Sequence, residues 1–348
     1  MAQTAAAPRS PLSSVSSPIS FSIIIETENL ASADLDGLFH SLDALEKQTL
    51  SPRQANEVLM VETGDVPEDI LSAIRERYSW VNIRRIEAGL EYYQAKMRGI
   101  GLTTGEVVVL CDSDCVYNGE WLEAVLLPFA KPGVKMLAGE TSLKITGPYS
   151  LAMAIAYIFP RFSRRDELQS VGHYFCNNVA FKRDLIAQFP IPGELPMYRG
   201  NCVIHAHRLT ASRNVIWQQP KAQATHAPPN GLRHFVSRFF MLGYDALSIS
   251  RCVANPSMPL VSDHPAPVSP LSDLRKVAGL MSYQIKTFIK RIGSVLLEDI
   301  RYVLYLPVAL PIALAALTLY TVGLGLSYVR PRYWLDNRDT LEALLEHS

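Results

Sequence analysis

The chain has 348 residues, in which 33 Lys and Arg residues balance 33 Asp and Glu residues, and 48% of the residues are hydrophobic. A chain this apolar and this neutral collapses in water, which excludes disorder over most of its length. It also lacks the net positive charge with which nucleic-acid-binding proteins hold phosphates, so no nucleic-acid partner is expected. The five cysteines are scattered and form no Cys-x-x-Cys pair, which favours a reducing compartment over a zinc site or a disulfide framework.

The first third of the chain alternates between β-branched runs and segments with helical periodicity. Residues 1–20, rich in Ala, Ser and Pro, predict a disordered tail. Strands are then predicted at 21–25, 57–62, 81–87 and 105–111, and helices at 34–47, 67–78 and 92–102. This alternating β-α order predicts a parallel sheet with flanking helices. In such sheets, ligands bind at the carboxyl ends of the strands.

The remaining two thirds mix predicted helices, strands and irregular segments. Helices are predicted at 120–129 and 201–212, and strands at 134–146, 174–181 and 215–220. Residues 251–300 predict a Pro-rich linker followed by an amphipathic helix. The short apolar run at 150–165 ends in basic residues and is too short to cross a membrane. It fits either a helix in the membrane interface or a core helix with a basic end.

A long apolar stretch at 302–328 contains 27 consecutive residues without a charge. As one helix it would be about 40 Å long, enough to cross a hydrocarbon layer of roughly 30 Å. Tyrosines near its edges are typical of interfacial anchors, whereas Pro307 and Pro311 indicate a kink or a re-entrant segment. A buried core helix is the alternative. We therefore predict a transmembrane or membrane-associated helix at 301–330 and a tail at 331–348.

The triplet Asp112-Ser113-Asp114 directly follows the buried strand predicted by VVVL. Two carboxylates two residues apart on a turn can face one pocket. Oxygen ligands suit Mg²⁺ or Mn²⁺, and such an ion in turn neutralises a diphosphate. Asp-x-Asp occurs by chance in many loops, so the triplet gains its weight from its position after three β-α units. The sequence thus predicts a divalent-metal site at this strand end.

Several segments resemble the GT-A-fold family 2 glycosyltransferases. FSIIIETEN at 21–29 is similar to the opening strand and loop of that family, and EVLMVETGD at 57–65 is similar to its second strand. The best match is GLEYYQAKMRGIGLTTGEVVVLCDSD at 89–114, which leads through a basic helix to the Asp-x-Asp. The resemblance covers about residues 21–245 and is more specific in its first half.

The resemblance implies a Rossmann-like GT-A domain with a mostly parallel sheet at 21–250. It also implies a nucleotide-diphospho-sugar donor and a divalent metal, Mn²⁺ or Mg²⁺. Within it, Glu62 would accept a hydrogen bond from the base, and Asp112 would contact the ribose or the metal. The residues implied to bind the nucleotide-sugar are Thr27, Glu62, Lys96, Arg98 and Asp112. Those implied to bind the metal are Asp112, Asp114 and His226, the last following the final predicted strand.

The sequence departs from the family where the catalytic base is expected. An inverting member usually opens its late helix with a Glu-Asp pair, whose Asp deprotonates the acceptor hydroxyl. Here these positions fall near Asn201 and Cys202, and Asn201 instead predicts a helix N-cap. The base is therefore unassigned, with Glu194, His205 and His207 as nearby candidates. Histidines two residues apart on a helix face different sides, so at most one of the two points into the site.

The sequence favours one of three functions. The leading prediction is an inverting glycosyltransferase at the cytosolic membrane face, with a sugar, lipid-linked or polysaccharide acceptor. The alternative is a catalytically impaired GT-A-like protein that binds a sugar or a nucleotide, because the Glu-Asp pair is missing. Nucleotidyl transfer is disfavoured, since no Gly-rich basic loop follows the first strand. The basic, aromatic segment at 233–240 fits a helix with a solvated face, or a contact with diphosphate or membrane.

Overall fold

The structure is a computed structural model that describes residues 19–27, 35–64, 66–195, 197–254, 270–333 and 337. Most of the predicted N-terminal tail, the predicted Pro-rich linker and the predicted C-terminal tail lie outside these residues. The same holds for Asn29 and Glu28, which belong to the loop that resembles the family's opening segment.

The alternating N-terminal pattern forms the parallel half of one sheet. Its strands are β1 (Phe21–Glu26), β2 (Val58–Glu62), β3 (Asn82–Arg85) and β4 (Val107–Asp112), and its helices are α1 (Leu35–Glu46), α2 (Glu68–Arg77) and α3 (Tyr92–Gly101). All residues of β1, β2 and β4 are buried. Continuous apolar runs suit such strands because helices cover both faces of a parallel sheet.

The second half of the sheet alternates short strands with helices. The strands are β5 (Cys115–Tyr117), β6 (Met136–Leu143), β7 (Gln169–Val171), β8 (Asn178–Lys182) and β9 (Ile216–His226). The helices are α4 (Trp121–Leu126), α5 (Pro148–Ala156), α6 (Arg183–Gln188), α7 (Asn201–Ala211) and α8 (Gly231–Ala254). These elements are followed by α9 (Pro270–Glu298), a 3₁₀ segment (Ile300–Tyr305) and α10 (Leu306–Val329).

The sheet has the strand order β3-β2-β1-β4-β8-β6-β9-β5, and β7 pairs with β9. Strands β1 to β4 pair in parallel, whereas β8 runs antiparallel to both β4 and β6. The direction therefore reverses beside β4. Glu26 of β1 lies opposite Asp112 of β4, so these two carboxylates end neighbouring strands. The fold is mixed α/β and Rossmann-like in its first half.

Two apolar cores cover the faces of this sheet. On one face, α1, α2 and α4 contribute Leu38, Leu42, Ile74 and Trp121, among others. On the other face, α3, α6 and α7 contribute residues such as Ile100, Leu185 and Leu209. This three-layer arrangement holds the strand ends rigidly, because helices are fixed against both sides.

A third core joins the sheet domain to the C-terminal helices. Leu151–Ala156 of α5 are buried, and they pack with side chains of α8, α9 and α10. Of the two alternatives for the 150–165 run, the structure thus has the core helix with a basic end. Arg161 at that end forms an ion pair with Glu298 and a hydrogen bond to the Leu143 carbonyl.

Helix α10 has a buried face of small residues and an exposed face of large apolar ones. Its buried positions recur with helical spacing and include Ala309, Ala313, Ala316, Gly323 and Ser327. Its exposed positions include Val308, Leu314, Val322 and Val329. Such a pattern is typical of helices that pack closely on one side and face lipid on the other. Within the described residues, Ile300–Val329 is the one helical stretch long and apolar enough to cross a membrane.

Glycines set the close contact between α8 and α10. A β-carbon at Gly243 would lie 1.9 Å from the carbonyl oxygen of Tyr320, and one at Gly323 would lie 2.0 Å from that of Phe240. The two backbones therefore touch directly. Helix α10 is built into the protein along its length rather than attached as a separate anchor.

Three of the differences between the structure and the sequence expectations lie in β9, α8 and α7. Strand β9 continues six residues beyond the predicted end at Pro220 and reaches His226. Helix α8 extends to Ala254, into the segment predicted as linker. Asn201 is not the N-cap of α7. Gly200 takes that place with a φ of 109°, a left-handed conformation that suits glycine, while the Asn201 amide donates to the Pro192 carbonyl at 2.5 Å.

Candidate active site

The end of β4 carries a buried cluster of opposite charges. The Nζ of Lys96 lies 2.6 Å from Oδ1 of Asp112 and 2.7 Å from the carbonyl oxygen of Cys111. Lys96 is completely buried, at 0% exposure. Burial disfavours its charged form, but Asp112 and Glu26 more than offset this and raise the pKa of Lys96. The ammonium therefore binds Asp112 directly and offsets the negative charge of Glu26.

Tyr92 covers the same carboxylate from the side of α3. Its hydroxyl lies 2.9 Å from Oδ1 and 2.8 Å from Oδ2 of Asp112. Burial, together with the charge of Asp112, raises the pKa of Tyr92 well above its usual value, so the hydroxyl stays a donor. The carboxylate of Asp112 is thus directed towards Lys96 and Tyr92.

Asp114 and His226 form a second group, assembled by the antiparallel pairing of β5 with β9. Cys115 lies opposite His226 in this register. The Nε2 of His226 is 3.3 Å from Oδ2 of Asp114, and the Sγ of Cys115 is 3.7 Å from Oδ1. One ligand atom from each residue lies within 4.8 Å of the others. Of the metal residues implied by the resemblance, the structure brings Asp114 and His226 together and sets Asp112 apart.

The hydrogen bonding of His226 suits a cation beside Asp114. Its Nδ1 bonds to the carbonyl oxygen of Ala227, which can only accept, so the proton of a neutral ring is on Nδ1. The Nε2 then presents a lone pair towards the carboxylate of Asp114. Two acceptors at this distance need a proton or a metal ion between them. A carboxylate and an imidazole are both ligands of Mn²⁺, so the residues fit a divalent metal.

Burial shapes the other groups in this cluster. It raises the pKa of Asp114, as does Asp112, while His226 and Arg238 oppose the shift. Burial also raises the pKa of Cys115 well above its usual value. The Cys115 side chain is therefore a neutral thiol, which is a poor ligand for a hard divalent ion.

Glu62 and Thr27 lie at the neighbouring strand ends. Oε2 of Glu62 accepts a hydrogen bond from the amide of Gly64 at 2.6 Å, and Glu62 is 2% exposed. The hydroxyl of Thr27 donates to the Val61 carbonyl at 3.1 Å. Both residues therefore flank the parallel half of the sheet edge, on the β2 side of Asp112.

Other candidate residues lie away from this edge. Arg98 is half exposed and pairs with Glu87 at 3.1 Å, and together with Glu194 it lines a separate cavity of about 710 Å³ beside α3. Nδ1 of His205 is 2.6 Å from the Tyr174 hydroxyl, and its Nε2 is 2.8 Å from the Phe189 carbonyl. Burial lowers the pKa of His205 to about 4. His207 is half-buried, on a different side of α7 from His205.

A row of alternating tyrosine and arginine side chains lies over the site and was missed from the sequence. Arg199 stacks between Tyr92 at 4.6 Å and Tyr198 at 4.5 Å. Arg238 follows, 5.6 Å from the rings of both Tyr198 and Tyr157. The basic and aromatic segment at 233–240 indicated Arg238, but nothing in the local pattern indicated that Arg199 would join it. The row begins at Tyr92, which contacts Asp112, and includes Arg238, whose positive charge acts to lower the pKa of Asp114.

A cavity of about 750 Å³ opens from the second cluster. Its lining includes Asp114 and His226, residues 227–230 of the loop before α8, and Ile312 and Ala315 of α10. The arrangement joins a site suited to a divalent cation with an apolar chamber.

This architecture is that of GT-A proteins. A Rossmann-like sheet carries Asp-x-Asp at the end of β4, beside a histidine of the last strand. Residues 22–189 match the family model described as glycosyl transferase family 2. The match covers 168 of the 348 residues, and over this segment the chain is similar to the family 2 glycosyltransferases. Comparison with curated proteins gives no match.

Two solved structures are similar to the chain. One is the mannosyltransferase PcManGT from Pyrobaculum calidifontis in complex with GDP-Man and Mn²⁺. The TM-score is 0.54 and the identity 15%, over 91% of this chain and 88% of that chain, which shows the shared fold. The other is GalNAc-T7 with UDP, GalNAc and Mn²⁺, with a TM-score of 0.49 and 12% identity over 70% of this chain. The chain spans about half of that protein, 53%.

Proposed function

We propose that the protein transfers a sugar from a nucleotide-diphospho-sugar to the hydroxyl of a lipid-linked or polysaccharide acceptor, with inversion at the anomeric carbon. The observation that carries this is the Asp114–His226 pair, whose facing atoms fit a divalent cation, beside the turn that follows β4 in a domain similar to family 2. The similar mannosyltransferase structure, at a TM-score of 0.54, holds Mn²⁺ and GDP-Man, which supports the same donor class here.

In this proposal, residues at different strand ends bind different parts of the donor. Glu62 and Thr27 bind the nucleoside on the side of β2, while Asp114 and His226 hold the divalent ion. A bound metal supplies positive charge to the diphosphate that leaves. Asp112, fixed by Lys96 and Tyr92, orients the turn that carries Asp114 and lies within reach of the ribose. Arg199 and Arg238 add fixed positive charge over the same turn, which favours an anionic leaving group.

The reaction is a single displacement. The acceptor oxygen forms a bond to the anomeric carbon while the bond from that carbon to the diphosphate oxygen breaks. The acceptor proton passes to a base, and a nucleoside diphosphate leaves. Glu194, His205 and His207 are the candidate bases from the sequence. The engaged nitrogens of His205 and the separate cavity of Glu194 make His207 the candidate to test first.

The C-terminal helices support a location at a membrane. Between residues 274 and 297, α9 carries five basic and no acidic residues. Its exposed surface combines Lys286 and Lys290 with Tyr283, Ile285 and Ile289. A face of this composition suits an anionic lipid surface, and the exposed apolar face of α10 suits hydrocarbon. Nucleotide sugars are made in the cytosol, so we place the domain on the cytosolic side.

The membrane proposal is tested by vesicle cosedimentation. The double variant K286E/K290E should lose at least about tenfold in affinity for vesicles with anionic lipid, since each basic residue near such a surface contributes roughly 1 kcal/mol. The matched variant K131E/K135E changes exposed lysines at the amino end of β6 and should bind like the wild type. An equal loss of vesicle affinity in both double variants would contradict the assignment of the lipid-binding surface to α9.

The activity is tested with a panel of nucleotide sugars, by thermal shift and by donor hydrolysis with and without Mn²⁺. We expect one donor to stabilise the protein in a Mn²⁺-dependent manner and to be hydrolysed slowly. The alternative is a catalytically impaired binding protein. It is supported by Asn201, which is buried near the position where the family has a carboxylate and whose side-chain amide donates a hydrogen bond to the Pro192 carbonyl. Binding of a donor without turnover towards any acceptor would establish that alternative.

A further inference from the structure

The cavity beside Asp114 has an apolar body. The residues that give it this character are Pro228, Pro229, Leu232, Phe235, Ile312 and Ala315. A polysaccharide site presents many hydrogen-bonding groups along its walls, because each sugar hydroxyl needs a partner. A chamber lined mainly by hydrocarbon suits a hydrocarbon ligand instead.

The position of the cavity indicates where such a ligand comes from. Ile312 and Ala315 belong to α10, and Leu314, between them in sequence, is 51% exposed on the face that suits lipid. The chamber is therefore lined both by the Asp114–His226 pair and by the helix whose exposed face suits hydrocarbon. A ligand anchored in a bilayer reaches the site along α10 without leaving its apolar surroundings.

The polar end of the cavity is cationic. Arg238 lines it, and its Nε is 2.6 Å from the Tyr157 hydroxyl while its Nη1 is 3.4 Å from that of Tyr198. Within the described part of the chain, these hydrogen bonds of Arg238 go to neutral hydroxyl groups rather than to a carboxylate. A half-buried guanidinium of this kind is suited to an anionic ligand.

The cavity also lacks a free base. Among its described lining residues, Asp114 is the one carboxylate, and the proposed function assigns it to the metal. His226 is assigned likewise, and Nδ1 of His234 already accepts the amide proton of Asn230 at 3.3 Å. An acceptor hydroxyl would need a base here. An acceptor phosphate would not, because its oxygen is already an anion.

We propose that the acceptor is a lipid phosphate, whose chain lies in the cavity between α8 and α10 and whose phosphate lies between Arg238 and the metal site. This proposal rests on the proposed sugar transfer, keeps its donor and lipid acceptor, and replaces the acceptor hydroxyl and its base by a phosphate oxygen. The phosphate oxygen bonds to the anomeric carbon, and the bond from that carbon to the donor diphosphate breaks. The products are a phosphodiester that joins the sugar to the lipid, and a nucleoside diphosphate. No proton is transferred.

The test uses the full chain in lipid nanodiscs with Mn²⁺ and the donor identified by hydrolysis. Four acceptors are compared: a long-chain polyprenyl phosphate, farnesyl phosphate, the long-chain polyprenol without phosphate, and a soluble oligosaccharide. With the long-chain phosphate we expect labelled sugar in the organic phase. With the polyprenol we expect a kcat/KM about tenfold to a hundredfold lower than with the long-chain phosphate, because the polyprenol cannot form the charge-assisted hydrogen bonds. Equal or faster transfer to the polyprenol or the oligosaccharide would overturn the proposal.

Two variants on α10 test the cavity itself. Ala315→Trp fills the chamber and should raise KM for the long-chain phosphate by about tenfold while donor hydrolysis with Mn²⁺ is unchanged. Leu314→Trp places the same side chain on the exposed face and should leave both unchanged. An unchanged KM in Ala315→Trp would show that the chain binds elsewhere. Failure of the wild type to bind or hydrolyse any donor would instead overturn the proposed sugar transfer.

Discussion

Lys96 and Asp112 form an ion pair with an Nζ–Oδ1 distance of 2.6 Å, and their side chains are 0% and 4% exposed. Lys96 enters from α3, while Asp112 ends β4, so the pair fixes the helix to the strand end that carries the Asp-x-Asp turn. A charge buried this deeply needs its partner, because water cannot replace it. The pair is thus a structural element of the strand end that carries the Asp-x-Asp turn.

We predict that Lys96→Met destabilises the protein by about 3–5 kcal/mol, since it leaves Asp112 and Glu26 without their buried counter-charge. Urea denaturation followed by tryptophan fluorescence measures this. Arg98→Met on the same helix is the matched control. Arg98 is 51% exposed in its pair with Glu87, and such pairs contribute at most about 1 kcal/mol. Similar losses in both variants would refute the special role of the buried pair.

The metal ligands are tested by Mn²⁺ binding. Asp114→Asn and His226→Gln should each weaken Mn²⁺ binding by more than about tenfold, because each removes one of two protein ligands. Cys115→Ser should leave it unchanged, since burial keeps the thiol neutral and unsuited to a hard ion. Titration by electron paramagnetic resonance gives the affinities. Weaker binding in the Cys115 variant alone would reverse the assignment of ligands.

The parallel half of the fold follows from the sequence because its strands are continuous apolar runs between periodic helices. Every predicted element from Phe21 to Asp112 is present. The second half is harder to predict. Strands β5 and β7 have only three residues each and exist because they pair with β9, a long-range contact that local periodicity does not contain. For the same reason the length of β9 was underestimated.

The site likewise combines residues that local sequence predicts with contacts that depend on long-range pairing. Asp112, Asp114 and Glu62 are predictable because each ends or follows a buried strand. The pairing of Asp114 with His226 depends on the register of β5 against β9, over one hundred residues apart in sequence. Arg199 acts through stacking between tyrosines of two different segments, and no local spacing encodes that contact.

The contact between α8 and α10 gives a prediction with a control on the same helix. At Gly323 a β-carbon would meet the Phe240 carbonyl at 2.0 Å, whereas at Gly325 it would meet nothing within 4 Å. Gly323→Ala should therefore cost about 1–3 kcal/mol by forcing the helices apart. Gly325→Ala should be neutral or stabilise by up to about 1 kcal/mol, because alanine favours a helix. Thermal unfolding in detergent distinguishes them, and equal melting temperatures would contradict the packing.

Asp245 of α8 gives a pH-dependent prediction. It is 2% exposed, and its Oδ2 accepts a hydrogen bond from the amide of Arg199 at 2.7 Å. Burial raises its pKa from 3.8 to about 7, although Arg199 and Arg238 oppose the shift. Between these two values the folded protein holds a proton that the unfolded chain has released. Stability should thus be highest near the lower value and fall as the pH rises towards 7.

Asp245→Asn should remove this dependence, because the amide does not titrate. From pH 4 to pH 7 we expect the free energy of unfolding of the wild type to fall relative to the variant by up to about 1.4 kcal/mol per pH unit. Asp43 is the control with the opposite sign: the hydrogen bond from Tyr78 lowers its pKa, so its contribution is lost as the pH falls. Urea denaturation at a series of pH values measures both. A wild-type curve parallel to that of Asp245→Asn would show that Asp245 is ionised in the folded protein throughout this range.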